Sequence, residues 1–153
     1  MLIKIVDDDQ VFVKKIKDIV YDNFKDIFLD YSIECITSNF EAQYFEKGDI
    51  FFLDIDLKEK NGIKIAEEIR ENNSNAIIIF VSAMNDMIFD SLIVQPFYFI
   101  RKDNFDRDMK IACTLIQKYI NKNHKIITFD FNGKKVLVTG ASSGVGREVA
   151  ILL

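Results

Sequence analysis

The stretch IFFLDI at residues 50–55 decides the fold of this chain. Four apolar residues follow one another without a break before Asp54, and Ile55 comes directly after it. An unbroken apolar run of this length is typical of a strand that is covered on both faces, as the strands of parallel sheets are. A carboxylate beside such a run is costly to bury unless a partner compensates its charge. Asp54 is therefore a candidate functional residue.

Segments of helical period alternate with strand-like runs on both sides of this stretch. The predicted strands cover residues 2–6, 31–36, 50–55, 76–81 and 97–100. Helices are predicted over residues 11–24, 39–45, 85–94 and 105–121, and another begins after Asn61-Gly62. Strands that alternate with helices in this way form a parallel sheet with helices on both faces. The chain is therefore predicted to have an α/β fold, a doubly wound five-stranded parallel sheet over residues 1–122.

The composition of the 153 residues is that of a globular protein, with 49% hydrophobic and 29% charged residues. The net charge of −4 argues against a strongly basic surface for nucleic acid. Cys35 and Cys113 are the only cysteines and His124 is the only histidine, so neither a disulfide framework nor a histidine metal site is expected. The most apolar stretch, residues 76–84, is too short to span a bilayer. We therefore expect a cytoplasmic protein without membrane contact.

Polar side chains follow the ends of the first, third, fourth and fifth predicted strands. In chain order they are Asp7, Asp8 and Asp9, then Asp54 and Asp56, then Ser82, and finally Lys102. Ligands of doubly wound sheets sit at the carboxyl ends of the strands. We therefore expect these side chains to share one crevice.

Carboxylates, a hydroxyl and an ammonium in one crevice suit phosphoryl transfer. Clustered carboxylates repel one another unless a cation offsets their charge, and Mg²⁺ prefers oxygen ligands. A carboxylate can attack phosphorus, while a metal, a lysine and a hydroxyl stabilise the phosphoryl oxygens. Each residue alone has a simpler explanation, since aspartates after the first strand could cap the first helix and a serine after a strand is common. The joint pattern favours phosphoryl transfer.

Several short motifs together resemble the response-regulator receiver family over residues 1–122. They are IVDDD at residues 5–9, FFLDIDL at 51–57, NG at 61–62, VSA at 81–83 and the lysine of FIRK at 99–102. The segment PFYFIRK before the last helix is most similar to receivers of the LytTR class. The resemblance implies a flavodoxin-like fold and a Mg²⁺-dependent switch in two-component signalling.

The resemblance also implies a role for individual acidic residues. Asp54 matches the phosphorylated residue of the family, and Asp7 and Asp8 match the acidic pair that holds Mg²⁺ directly or through water. Asp56 matches the position whose backbone carbonyl ligates the metal. Asp7, Asp8, Asp54 and Asp56 are therefore the expected metal site, and no organic cofactor is expected.

Three further positions match the catalytic and switching residues of the family. Ser82 matches the hydroxyl that turns toward the phosphoryl group, and Lys102 matches the lysine that pairs with it. Phe99 matches the aromatic residue that changes rotamer on activation. The sequence departs from the pattern at Asp103, where many receivers have proline, and Phe99 has no hydroxyl. These departures affect the details of switching.

The resemblance implies that a sensor histidine kinase supplies the phosphoryl group and leaves homodimerisation open. It implies no activity beyond the domain's own phosphorylation and dephosphorylation, and DNA contact only through an output domain outside this chain. The alternative is a Mg²⁺-dependent phosphatase-type hydrolase with a nucleophilic aspartate, since LDIDLK at residues 53–58 contains a D-x-D pattern. Such an enzyme does not need acidic residues after the first strand. A third interpretation is an interaction module that is not phosphorylated. It is disfavoured because all the residues expected for phosphoryl acceptance are present.

The alternation of strand-like and helical segments ends before residues 123–153. An incomplete β/α segment is predicted there. A hairpin is expected around Asn132-Gly133. VLVTGASSGVG at residues 136–146 resembles the first strand and glycine loop of short-chain dehydrogenases, followed by a predicted helix over 147–153. That family's later strands and its tyrosine–lysine pair are absent, so we expect no dinucleotide binding. The competing interpretation is that this segment is the start of a LytTR DNA-binding domain. A fusion, a truncation or a misjoined reading frame would each explain its presence.

Overall fold

The computed structural model describes residues 1–27, 30–131, 134–141 and 149–150. The chain divides into two compact units, Met1–Ala112 and Cys113–Leu153. None of the helices in the described part of the chain combines the length and the hydropathy that crossing a membrane requires.

The first unit contains a parallel sheet of five strands. The strands are β1 (Leu2–Val6), β2 (Ser32–Ile36), β3 (Ile50–Leu53), β4 (Ile77–Ser82) and β5 (Tyr98–Arg101), in the order β2-β1-β3-β4-β5. All residues of β3 and β4 are buried, as their apolar sequences predict. The predicted doubly wound parallel sheet is confirmed. Its third strand ends at Leu53, so that Asp54 directly follows the strand.

The described part of the chain contains four α-helices: α1 (Gln10–Phe24), α2 (Gly62–Asn72), α3 (Ile88–Ser91) and α4 (Phe105–Asn123). In α1, the buried side chains recur with helical spacing at Val13, Ile16, Val20 and Phe24. On α2, the apolar side chains belong to a core cluster that also contains residues of β1, β3 and β4. The buried side chains of α1 and α2 therefore follow the predicted helical spacing. On α4 the prediction is only partly correct, because Ile111, Leu115 and Tyr119 are exposed whereas Ala112, Ile116 and Ile120 are buried.

The helix predicted over residues 39–45 is wrong. Only a 3₁₀ turn forms there, at Ala42–Tyr44. Asn39 has a left-handed backbone with φ of 57°, and Phe40 and Phe45 are both buried in the core cluster. Two anchors five residues apart do not lie on one face of an α-helix, so the core favours a tighter turn.

The helix predicted over residues 85–94 is broken into three short pieces. The 3₁₀ turns Asn85–Met87 and Leu92–Val94 flank the single turn of α3. Gln95 then adopts a left-handed backbone with φ of 49°, directly before Pro96. A left-handed residue followed by proline ends a helix.

The second unit contains a small antiparallel sheet. Its strands are β6 (His124–Phe131), β7 (Lys134–Ala141) and β8 (Val149–Ala150), in that order. Phe131 pairs with Lys134, so that β6 and β7 are antiparallel neighbours on the two sides of Asn132-Gly133, where the hairpin is predicted. The helix predicted over residues 147–153 is not found at Val149–Ala150, because these residues pair with β7 as a strand. The rest of that prediction and the glycine loop, with Gly144 and Gly146, lie outside the described residues; Gly140 lies in β7.

Candidate functional site

The ends of β1 and β3 place two aspartates side by side. Val6 pairs in register with Leu53, and the Asp54 amide donates to the Val6 carbonyl over 2.8 Å. Asp7 and Asp54, the next residue of each strand, are 1% and 4% exposed. Two carboxylates are therefore buried at the same edge of the sheet, where each needs a compensating partner.

Lys102 supplies that partner to both carboxylates. Its Nζ lies 2.6 Å from Asp54 Oδ2 and 2.7 Å from Asp7 Oδ2. Burial raises the pKa of Asp7, and the hydrogen bond from Lys102 only partly offsets this. Burial by itself lowers the pKa of Lys102, but its bonds to Asp54 and Asp7 outweigh burial and raise that pKa. The ammonium is therefore held charged between two acidic groups.

The second oxygen of Asp54 is held by the backbone. Asp54 Oδ1 accepts from the Ile55 amide at 2.7 Å and from the Asp56 amide at 3.3 Å. With Oδ2 on Lys102, both oxygens have a donor and the orientation of the carboxylate is set. A nucleophile that is oriented before the reaction needs less reorganisation during it.

Asp8 completes a group of three carboxylates. Asp7, Asp8 and Asp54 each offer an oxygen, and these oxygens lie within 4.8 Å of one another. Lys58 Nζ lies 3.2 Å from Asp8 Oδ2, but the Lys58 side chain is 82% exposed. An all-oxygen donor set with excess negative charge fits Mg²⁺. The Asp56 side chain is exposed and lies outside this group of three.

Asp9 has a different structural role from Asp7 and Asp8. It is the N-cap of α1, and its carboxylate accepts from the Val11 amide at 2.9 Å. The Asp9 amide in turn donates to Asp7 Oδ1 at 2.8 Å. The capping explanation of the acidic run therefore applies to Asp9, whereas Asp7 and Asp8 join the carboxylate group.

Ser82 and Phe99 lie on the neighbouring strands β4 and β5. Ser82 is fully buried, and its hydroxyl accepts from the Met84 amide at 3.2 Å. Phe99 is half-buried against the core cluster, with its ring centroid 6.2 Å from that of Phe80. The structure thus places the Ser82 hydroxyl at a backbone amide and the Phe99 ring at the core.

Gly62 is required where α2 begins against the backbone of Asp54. Asn61 caps the helix, and the Gly62 amide donates to the Ile55 carbonyl at 2.9 Å. A Cβ at position 62 would overlap the Asp54 carbonyl oxygen and lie 2.8 Å from its carbon. The Asn61-Gly62 turn therefore sets the distance between α2 and the backbone that follows β3.

Replacing Gly62 with alanine is expected to lower the free energy of unfolding by about 2–3 kcal/mol, because backbone atoms must shift to admit the methyl group. In an exposed helix interior, replacing glycine with alanine would raise the free energy of unfolding by about 1 kcal/mol. The sign of the change therefore shows whether Gly62 approaches the Asp54 backbone closely. Urea denaturation measures the change, with exposed Glu71→Ala in the same helix as the control. A Gly62→Ala protein as stable as the wild type would contradict the close approach.

Asp108 is a buried acid that the sequence did not single out. It is 3% exposed and accepts from Arg101 N, Nε and Nη2 at 3.2, 2.7 and 3.0 Å and from Asn104 Nδ2 at 3.3 Å. The Arg101 guanidinium lowers the pKa of Asp108. These bonds tie the end of β5 to α4 and so hold the turn that carries Lys102. The nearby Asp106 is exposed, and the sequence offers no signal to choose between them.

Known proteins resemble this chain in sequence and in fold. The sequence model of one family, the response regulator receiver domain, matches residues 3–127. The chain is similar to the sensory transduction protein LytT of Bacillus subtilis, with 30% identity over 99 residues, 65% of this chain and 40% of that protein. The LytT protein of Bacillus cereus is 25% identical over 154 residues, 100% of this chain and 62% of the relative. The chain thus spans only part of the length of these curated relatives.

A solved structure shares the fold. The response regulator TrrA of Thermotoga maritima, crystallised in complex with Mg²⁺ and BeF, is 25% identical with a TM-score of 0.60. The match covers 74% of this chain and 97% of that structure. The match covers nearly all of that structure, so the likeness is one of a whole domain.

Proposed function

The chain belongs to the response regulator receiver family of two-component signalling, and we propose that it accepts a phosphoryl group on Asp54 in a Mg²⁺-dependent reaction. One observation carries the choice of residue. Asp54 is a buried carboxylate at the end of an apolar strand, with Oδ2 2.6 Å from a lysine ammonium and Oδ1 held by two amides. We propose that this receiver spans residues 1–122 and that residues 123–153 form a separate C-terminal segment.

In the proposed reaction one carboxylate oxygen of Asp54 attacks the phosphorus of the donor. The bond from phosphorus to the donor's leaving group breaks, and Asp54 becomes an acyl phosphate. Lys102 already lies on the Asp54 carboxylate, so its ammonium can follow the negative charge onto the phosphoryl oxygens. Bound Mg²⁺ would offset the charge of the three carboxylates and of the phosphoryl group.

We propose Asp7, Asp8, Asp54 and the Asp56 backbone carbonyl as the metal ligands, and Ser82 and Phe99 as the switch. After transfer the Ser82 hydroxyl would leave the Met84 amide and donate to a phosphoryl oxygen. Phe99 would then repack at the core, where its ring has room to move because it is only half-buried.

A sensor histidine kinase is the proposed donor, and the domain would catalyse only its own phosphorylation and dephosphorylation. DNA contact would belong to an output domain and not to the receiver. A cytoplasmic location stays a prediction. The family match does not favour the phosphatase-type alternative.

Incubation with acetyl phosphate, followed by intact-mass measurement, tests the proposed function. We expect the protein to gain one phosphoryl group with Mg²⁺ and none when the metal is chelated. Release of more than one product per protein from a small phosphate ester would instead support a hydrolase. No phosphoryl gain under any condition would overturn the proposal.

Asp8→Ala is expected to weaken Mg²⁺ binding by about tenfold or more, because it removes one of three converging carboxylates. Titration calorimetry without phosphodonor measures the change. Asp56→Ala is the matched control, since it removes an exposed carboxylate and leaves the backbone carbonyl in place. Equal Mg²⁺ affinity of Asp8→Ala and wild type would exclude Asp8 as a ligand.

A further inference from the structure

An aromatic ring from α1 lies against the ammonium between the two carboxylates. Phe12 is half-buried in the first turn of α1, three residues after the last aspartate of the acidic run. Lys102 Nζ lies 4.6 Å from the centroid of its ring. The Lys102 side chain is only 13% exposed, and a cation–π attraction is stronger when the cation is withdrawn from water.

The ring of Phe12 is itself held in place. It meets the ring of Phe105 edge to face, with centroids 5.5 Å apart and planes at 71°. Phe105 is 4% exposed at the start of α4, and Lys15 Nζ lies 4.3 Å from its centroid. The aromatic wall beside Lys102 is therefore built from two elements distant in sequence and has little freedom to swing away.

The Lys102 ammonium needs such a contact because the lysine side chain is flexible. The turn Lys102–Asn104 sets only where the side chain begins, and four carbons separate the backbone from the ammonium. On phosphoryl transfer, one Asp54 oxygen becomes the bridging oxygen of the acyl phosphate and the negative charge moves to the phosphoryl oxygens. The anionic partners of Lys102 thus change, whereas the ring offers the same attraction before and after.

We propose that Phe12 is a positioning residue, whose ring face holds the Lys102 ammonium beside Oδ2 of Asp54. The inference rests on the proposed function and adds a residue to that site. It differs from a packing role for Phe12, which any apolar side chain of similar volume would serve.

The test compares Phe12→Leu, which keeps the apolar volume, with Phe12→Tyr, which keeps the ring. Initial rates of phosphorylation by acetyl phosphate are measured at saturating Mg²⁺. We expect Phe12→Leu to be about three- to tenfold slower, the range that loss of a desolvated cation–π contact predicts, and Phe12→Tyr to retain most of the rate. Tyr21→Leu removes the remote ring beside Lys25 and is the matched control.

A second readout needs no phosphodonor. Acetylation of Lys102 by acetic anhydride, followed by peptide mass analysis, should be severalfold faster in Phe12→Leu than in wild type or Phe12→Tyr. Wild-type rates in Phe12→Leu, or equal losses in the leucine and tyrosine variants, would overturn the inference. A wild-type protein that gains no phosphoryl group would overturn the proposed function itself and, with it, the premise of the inference.

Discussion

An Asp54→Asn protein incubated with acetyl phosphate and Mg²⁺ should gain no phosphoryl group. The amide has nearly the shape of the carboxylate but lacks the anionic oxygen that we propose attacks phosphorus. Its carbonyl can still accept from the Ile55 and Asp56 amides, so the loop is expected to keep its conformation. The variant therefore separates loss of the nucleophile from loss of the fold.

Intact-mass measurement decides this prediction, with circular dichroism to verify folding. Asp56→Asn is the matched control, because the same change is made two residues away on an exposed side chain. That control should take up one phosphoryl group as the wild type does. Uptake by Asp54→Asn would move the acceptor to another carboxylate of the group, Asp7 or Asp8 being the nearest.

Lys102→Met is expected to lower the free energy of unfolding by about 3 kcal/mol in the absence of Mg²⁺. Methionine fills much of the lysine volume but leaves Asp7 and Asp54 buried without the ammonium that both contact. Breaking a buried ion pair by removing one partner is costly because the remaining charge is left uncompensated. Here two charges remain, and they also repel each other.

Mg²⁺ should restore much of this stability, because the ion replaces the missing positive charge and binds only the folded chain. Urea denaturation with and without the metal measures both effects. Lys64→Met removes an exposed lysine that pairs with Glu67 and should change stability by no more than about 0.5 kcal/mol. A loss below about 1 kcal/mol in Lys102→Met would show that the two carboxylates do not depend on the lysine.

These two variants separate the chemistry of the site from its electrostatics. Asp54→Asn removes the proposed nucleophile and one negative charge, whereas Lys102→Met removes the positive charge and keeps Asp54. The same ammonium therefore links stability to function, since it compensates two acids that the fold would otherwise bury at a cost.

The sequence by itself predicted the parallel sheet, the order of strands and helices along the chain, and the polar residues at the carboxyl ends of the strands. Apolar runs such as residues 50–53 and 77–81 are local patterns, and their burial follows from composition alone. The turn signal at Asn61-Gly62 is equally local, and the structure places the start of α2 there. Asp7, Asp54 and Lys102 could be located at strand ends because parallel strands of one sheet share an edge.

The tertiary structure alone decided how those residues are used. Three consecutive aspartates have three different partners: Asp7 contacts Lys102, Asp8 contacts Lys58 and Asp9 caps α1. Identical side chains in a row give the sequence no basis for that division, since Lys102 and Lys58 come from segments that are distant in the chain.

The same reason explains the other differences. Burial of Phe40 and Phe45 in the core favours a 3₁₀ turn where a helix was predicted. The positions of Asp108 and Phe12 depend on packing at the starts of α4 and α1. Lys102 and Asp54 are 48 residues apart in the chain. Local patterns specify what a segment can form, but contacts across such separations exist only once the strands have paired, and they decide which charge meets which.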